Sequence, residues 1–194
     1  MPRRITAFLV ILSTISVVAV GGIFATLSFL SQAAAPAASS SAVKHCPAAS
    51  PVTVGTIVVP AGPVAGYCQS ELINAAHIMN AARDLGLGTH TQAVGIMTAM
   101  GESGLVNLDH GDAAGADSRG LFQQRDNGAW GTLADRMDPY TAAANFFNAL
   151  TRISGWDSLT PTQAAHSVQI NADPNYYATY WADAQTVVAA LTGS

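Results

Sequence analysis

Residues 89–108 read Thr89-His90-Thr91-Gln92-Ala93-Val94-Gly95-Ile96-Met97-Thr98-Ala99-Met100-Gly101-Glu102-Ser103-Gly104-Leu105-Val106-Asn107-Leu108. No Asp, Glu, Lys or Arg stands between Asp84 and Glu102. A helix that is apolar nearly all round belongs in the centre of a domain, so the stretch predicts a buried central helix. Thr89 and Gln92 stand in capping-box spacing at its start. At about 100° per residue, Glu102 falls nearly opposite Ala93 and Met100. Its own face carries Gly95, Thr98 and Ala99. Those side chains are small, and the expectation is a face that leaves room for a cleft.

The flanking sequence is helical too. From Gln69, the residues Leu72, Ile73, Ala76, Met79 and Ala82 recur at three- and four-residue steps, and Gly86 and Gly88 follow as a stop. Further along, Asp138-Pro139, Thr160-Pro161 and Asp173-Pro174 each join an N-cap residue to a proline at the first helical position. They predict helices over 139–153, 161–169 and roughly 174–191. A loop over 106–120 interrupts the helices, and loops of that length in a compact domain are commonly functional. The expected fold class is therefore mostly α: a compact domain of about five helices over 68–194.

The N-terminal third differs. Residues 5–30 contain no charged side chain and follow Arg3-Arg4. About 20 apolar residues span a bilayer, and the basic flank keeps the N-terminus cytoplasmic. The reading is a transmembrane anchor over 1–31 with the rest of the chain outside the cell membrane. The alternative is a cleaved signal, with small residues at Ala33-Ala34-Ala35 and a secreted product. Residues 32–67 are an Ala-, Ser- and Pro-rich flexible stalk followed by an extended segment, in which 57–59 forms a short strand. Cys46 and Cys68 lie beyond the apolar run, where an even cysteine count favours a disulfide. The paired spacing of a zinc site is absent from them.

Composition narrows the function classes. From residue 69 onward the chain carries five arginines, no lysine and all twelve of its acids. Nucleic-acid binding needs clustered basic residues, so no nucleic-acid partner is expected. The five histidines form no His-x-x-x-His pair, and no glycine-rich phosphate loop is present. Neither a metal nor another cofactor is expected.

Glu102 is one of two glutamates in the chain and ends the apolar helix. Apolar surroundings and the negative end of the helix dipole both disfavour its ionised form. A carboxylic acid held protonated near neutral pH is what glycosidic cleavage requires to protonate the leaving oxygen. The plainer alternative is a solvated residue at a helix end.

Two motifs bear on that choice. Glu102-Ser103-Gly104-Leu105, followed by Gly120-Leu121-Phe122-Gln123-Gln124, resembles the soluble lytic transglycosylase and goose-type lysozyme group of the lysozyme-like superfamily. The ordered segments 99–108, Gly111-Asp112, 117–125, Trp130-Gly131-Thr132 and Asp138-Pro139 are similar to lysozyme-like domains of actinobacterial cell-wall proteins. The resemblance covers about 70–191. It implies a lysozyme-like fold, peptidoglycan glycan strands as the partner, and Glu102 as the general acid. It further implies that Ser103 supports that carboxylate and that Phe122, Gln123 and Gln124 belong to the glycan cleft. Residues 169–174, Gln169-Ile170-Asn171-Ala172-Asp173-Pro174, resemble the Tyr-Asn-Ala-Gly-Pro motif of the same group. Ile170 stands where Tyr is usual and Asp173 where Gly is usual. Asn171 and Tyr177 are the cleft candidates there, although Tyr176, Tyr177 and Tyr180 equally suit the packing of a terminal helix.

Retaining and inverting glycosidases use two carboxylates, and Asp109, Asp112 and Asp117 are the candidates for a second. The resemblance implies a single-glutamate route, with the substrate's N-acetyl group stabilising the oxocarbenium-like centre. Asp117 is kept as a residue that positions water. Trp130 and Trp156 suit either sugar stacking or the core. The competing function is a non-catalytic glycan-binding or scaffold domain of an envelope-spanning secretion or conjugation apparatus.

Overall fold

The computed structural model of the chain describes residues 45–113 and 115–193. The expected anchor over 1–31 and the stalk up to residue 44 lie outside the described residues. Among the described residues, no helix is long and apolar enough to cross a membrane. They form a compact, mostly helical unit of six α-helices, two 3₁₀ segments and one short hairpin.

The hairpin pairs β1 (Val52–Val54) with β2 (Ile57–Val59) in antiparallel register, Val52 opposite Val59. Ile57 and Val59 alternate inward and are buried, while Val58 between them is exposed. The helix α1 (Gln69–Asp84) follows. Its apolar side chains Leu72, Ala75, Ala76, Met79 and Ala82 are buried, the stripe that three- and four-residue spacing produces. Beyond α1, Leu87 N–H donates to Ala82 O at 2.9 Å and Gly86 N–H to Arg83 O at 2.8 Å. That is a Schellman ending, with Gly86 in the left-handed conformation.

The central helix is α2 (Thr89–Ser103), with Thr91 to Met100 buried without interruption. Helix α1 lies against α2 and against α4 (Pro139–Thr151), and α2 lies against α6 (Trp181–Thr192). The predicted small-residue face of α2 is closed where it was expected to be open. A Cβ on Gly95 would sit 2.4 Å from Phe147 Cζ, and Thr98 is fully buried, its hydroxyl donating to Val94 O at 2.7 Å. Small side chains here admit a neighbouring helix, and α2 meets open space only at its two ends. The start also differs from expectation. The N-cap is Gly88 and Thr89 is already helical, while Gln92 donates from Nε2 to Leu87 O at 3.2 Å.

Two of the three proline-marked starts hold. Asp138 accepts from Thr141 N–H at 2.8 Å ahead of α4. Thr160 and Gln163 form a capping box ahead of α5 (Pro161–Val168). The third does not start an α-helix. Asp173 accepts from Asn175 N–H, two residues on, at 2.8 Å, and a 3₁₀ segment Tyr176–Tyr180 precedes α6. Tyr176 and Tyr177 there turn their hydroxyls back to the end of α2, and these tertiary bonds compete with continuous helix. One helix was not anticipated: α3 (Leu133–Met137), opened by a capping box between Thr132 and Asp135.

Cys46 and Cys68 form a disulfide, and Cys68 is the N-cap of α1. Gln69 Nε2 donates to Ser50 O at 2.6 Å and Pro60 O at 3.2 Å, and Asn80 Nδ2 to Val54 O at 2.9 Å. The end of the expected stalk, at Cys46 and Ser50, and the extended segment after it are therefore fastened to α1, and the packed unit begins ahead of residue 68. The bridge spans 22 residues, and loop entropy for that span amounts to about 3 kcal/mol. Replacing both cysteines by Ser is expected to lower unfolding free energy by roughly that amount, read as a lower denaturant midpoint with a steeper slope, since the unfolded chain without its cross-link exposes more surface.

Candidate active site

Helix α2 ends just beyond Glu102, with Gly104 N–H returning to Met100 O at 3.0 Å in a left-handed cap. Glu102 thus sits in the final turn of the most buried helix, partly buried itself. Gly101 beside it makes the neighbourhood possible. A Cβ there would lie 2.8 Å from Tyr177 Cδ1 and 3.0 Å from Tyr176 Cε1. Without one, the two rings close over the helix end, edge to face with centroids 5.2 Å apart. Tyr176 donates its hydroxyl to Gly101 O at 2.8 Å.

Tyr177 is fully buried, and its hydroxyl bonds both to Glu102 Oε1 and to Gln169 O, the latter at 3.0 Å. Burial and the adjacent Glu102 push the phenol far above its ordinary pKa, so it keeps its single proton. Two acceptors share that proton. When Glu102 is ionised, Tyr177 donates to the carboxylate. When Glu102 is protonated, its O–H is free to donate to Tyr177, whose proton then serves Gln169 O.

Burial pushes the Glu102 carboxyl above its ordinary pKa; the Tyr177 hydrogen bond works against the rise, and the negative charge of Asp112 adds to it. The carboxyl opens on a groove of about 750 Å³ lined by Gly101, Glu102, Asp112, Gln123, Asn171 and Tyr176 with their neighbours. Ligand sites commonly measure about 300–1,000 Å³. The groove walls are cross-tied below the surface. Ser103 Oγ lies 2.8 Å from Leu121 O and 3.1 Å from Ala99 O, and Gln169 Nε2 donates to Phe122 O at 2.5 Å.

Of the residues singled out in the sequence, Glu102, Gln123 and Asn171 line this groove and Tyr177 lies directly behind the carboxyl. Ser103 supports the turn after it rather than bonding the carboxylate. Phe122 is no groove residue: it is fully buried and stacks on Phe146 with ring centroids 5.0 Å apart. Gln124 is also interior, 1% exposed, donating to Ala142 O at 3.0 Å. Leu121, Phe122 and Gln124 are all buried, and of the three motif residues Phe122, Gln123 and Gln124 only Gln123 lines the groove. Asp117 does not line the groove either. It accepts from Arg125 Nε at 2.9 Å and from Asp126 N–H at 2.9 Å. The Arg125 hydrogen bond, first among several donors, holds its carboxyl down at about 2, which makes it a poor proton acceptor. Asp112, on the groove and electrically coupled to Glu102, occupies the position expected of Asp117. Trp130 and Trp156 do not line the groove, and Trp156 packs against the core.

Tyr176 and His110 were not anticipated as groove residues. One signal was present for the tyrosines: a glycine inside a helix costs about 1 kcal/mol relative to Ala, so Gly101 marks a place where another group comes close. Among the described residues, no cluster of three or more His, Cys, Asp or Glu side chains is placed to hold a metal ion. No family model matches the chain, and no curated protein matches it.

Two measurements test this electrostatic picture. A carboxyl whose pKa is raised by folding contributes stability fully below the unfolded value of about 4.3, and that contribution is lost as pH rises through the folded pKa. Glu102→Gln is therefore expected to gain melting temperature relative to wild type between pH 4 and pH 7.5. Tyr177→Phe removes the one bond that lowers the Glu102 pKa. Carbon NMR titration of the carboxyl is expected to show a further rise; a fall contradicts the assigned donor.

Proposed function

We propose that the chain cleaves the glycan strands of peptidoglycan at β-1,4 MurNAc–GlcNAc linkages, as a lytic transglycosylase or muramidase on a lysozyme-like fold. We further propose that residues 1–31 tether it to the cell membrane with this domain outside. The observation that carries the reading is Glu102: a carboxyl raised in pKa by burial, at the wall of a groove of about 750 Å³.

In this reading protonated Glu102 gives its proton to the glycosidic oxygen as the C–O bond breaks, leaving oxocarbenium-like charge at the anomeric carbon. The substrate's N-acetyl group supports that centre. The Glu102 carboxylate then accepts a proton from the incoming oxygen, either water or the muramic 6-hydroxyl. Tyr177 accommodates both states by turning one O–H between Glu102 and Gln169 O, with no heavy atom displaced. If water is the nucleophile, Asp112, which lines the same groove, is the carboxylate assigned in this reading to orient it.

A second reading, a glycan-binding scaffold without catalysis, draws on the lip of the groove. Ile170 is 83% exposed there, where the resembling motif has Tyr. Zymography on purified peptidoglycan separates the two. Wild type is expected to clear the substrate, and Glu102→Gln to remain folded and lose at least about 100-fold in rate, the usual scale of one general acid. Clearing by the variant would falsify the enzyme assignment, and binding by both proteins without clearing favours the scaffold. Mass spectrometry of the released fragments then distinguishes anhydro-muramic ends from hydrolysed ones.

A further inference from the structure

We infer that Arg136 is a positioning residue that holds the Gln123 wall of the groove, resting on the glycan-groove reading above. Its side chain is 3% exposed. Nη1 donates to Asp117 O at 3.2 Å and Gln124 O at 3.4 Å, and Nη2 pairs with Asp126 at 3.1 Å. All three acceptors belong to one short hairpin, closed by Arg119 N–H to Gln124 O at 3.1 Å and Gln124 N–H to Arg119 O at 3.0 Å. The tip of that hairpin is the turn that presents Gln123.

The tip is held in an unfavourable shape. Gln123 has φ +45°, a left-handed conformation uncommon outside glycine. Such residues persist where their surroundings over-determine them. Gly120, at φ +77°, lies so close to α3 that a Cβ would sit 2.0 Å from Arg136 O. The same helix receives the opposite loop, since Asn107 Nδ2 donates to Met137 O at 2.7 Å. Helix α3 therefore spaces both loops of the groove, and the guanidinium is its grip on one of them. That grip is costly: Arg136 Nε is buried and without a hydrogen-bond partner among the described residues, and a buried charge needs a compensating arrangement. Three acceptors along one hairpin suit the rigid fork of Arg, which a Lys ammonium does not reproduce.

The test is a double-mutant cycle in the full chain with Arg136→Lys and Gln123→Ala. The readouts are kcat and KM on purified glycan strands, and the dissociation constant of hexa-N-acetylchitohexaose by calorimetry. If Arg136 acts through Gln123, Arg136→Lys is expected to raise KM and the dissociation constant about five- to tenfold with kcat within about twofold. The pH profile of kcat stays in place because Glu102 is untouched. In the Gln123→Ala background the same substitution then adds less than about twofold. Equal losses in both backgrounds, or a fall in kcat alone, overturn the inference. If Arg136→Lys fails to fold, Asp126→Asn, which removes only the exposed end of the ion pair, replaces it in the cycle. Coupled binding without turnover in wild type sinks the enzyme reading and leaves this one standing. Turnover without coupling does the reverse, and absence of both binding and turnover in wild type overturns both.

Discussion

A carboxyl group left partly dry at the carbonyl end of an apolar helix is the condition on which the rest of this molecule depends. Such a group is costly in its ionised form, because burial removes water and the helix end adds negative potential. Around Glu102 the chain answers that cost with a single neutral donor, Tyr177, in place of a cation. An arginine there would stabilise the charged form and depress the pKa, as Arg125 does for Asp117. The two carboxyls lie near one another in sequence and are driven in opposite directions by what faces them. One is tuned toward holding a proton; the other is locked as a structural anion.

The supporting architecture follows from that arrangement. Gly101 is needed so that the tyrosines can reach the helix end. The tyrosines in turn interrupt what would have been one long terminal helix, leaving a 3₁₀ segment before α6. Gln169 serves both sides, its carbonyl receiving Tyr177 and its amide holding Phe122 O. Removing any member of this set alters the geometry of the others, since they share atoms. The buried guanidinium of Arg136 plays an equivalent part at the hairpin, where it gathers the backbone carbonyls of Asp117 and Gln124.

Much of the fold was legible because its signals are local. The charge-free run before Glu102 dictated a buried helix, and Asp138-Pro139 and Thr160-Pro161 marked two starts through capping chemistry that depends on adjacent residues only. What escaped was decided at a distance. Asp173-Pro174 has the same local signature, yet its segment answers to hydroxyl bonds with α2. Helix α3 is too short for apolar periodicity, and Thr132 with Asp135 was the one sign of it. Within the candidate site, Glu102, Gln123 and Asn171 line one groove. Phe122 and Gln124 share Gln123's motif but turn inward, because a motif fixes residue order and not the direction in which each side chain points. Among the loop acids the sequence reading kept Asp117 to position water, but Arg125 holds Asp117 in an ion pair and Asp112 is the one that lines the groove.

The disulfide at the edge of the domain has a mechanical corollary. Because Cys46 is bonded covalently to the residue that begins α1, tension arriving along the chain from before Cys46 enters the helical body directly at Cys68. The hairpin between them lies outside the line of force and is not peeled from the core. A pull on the leading end is thereby felt first by the helix that braces α2, and the grip of strands on helix is never put under load.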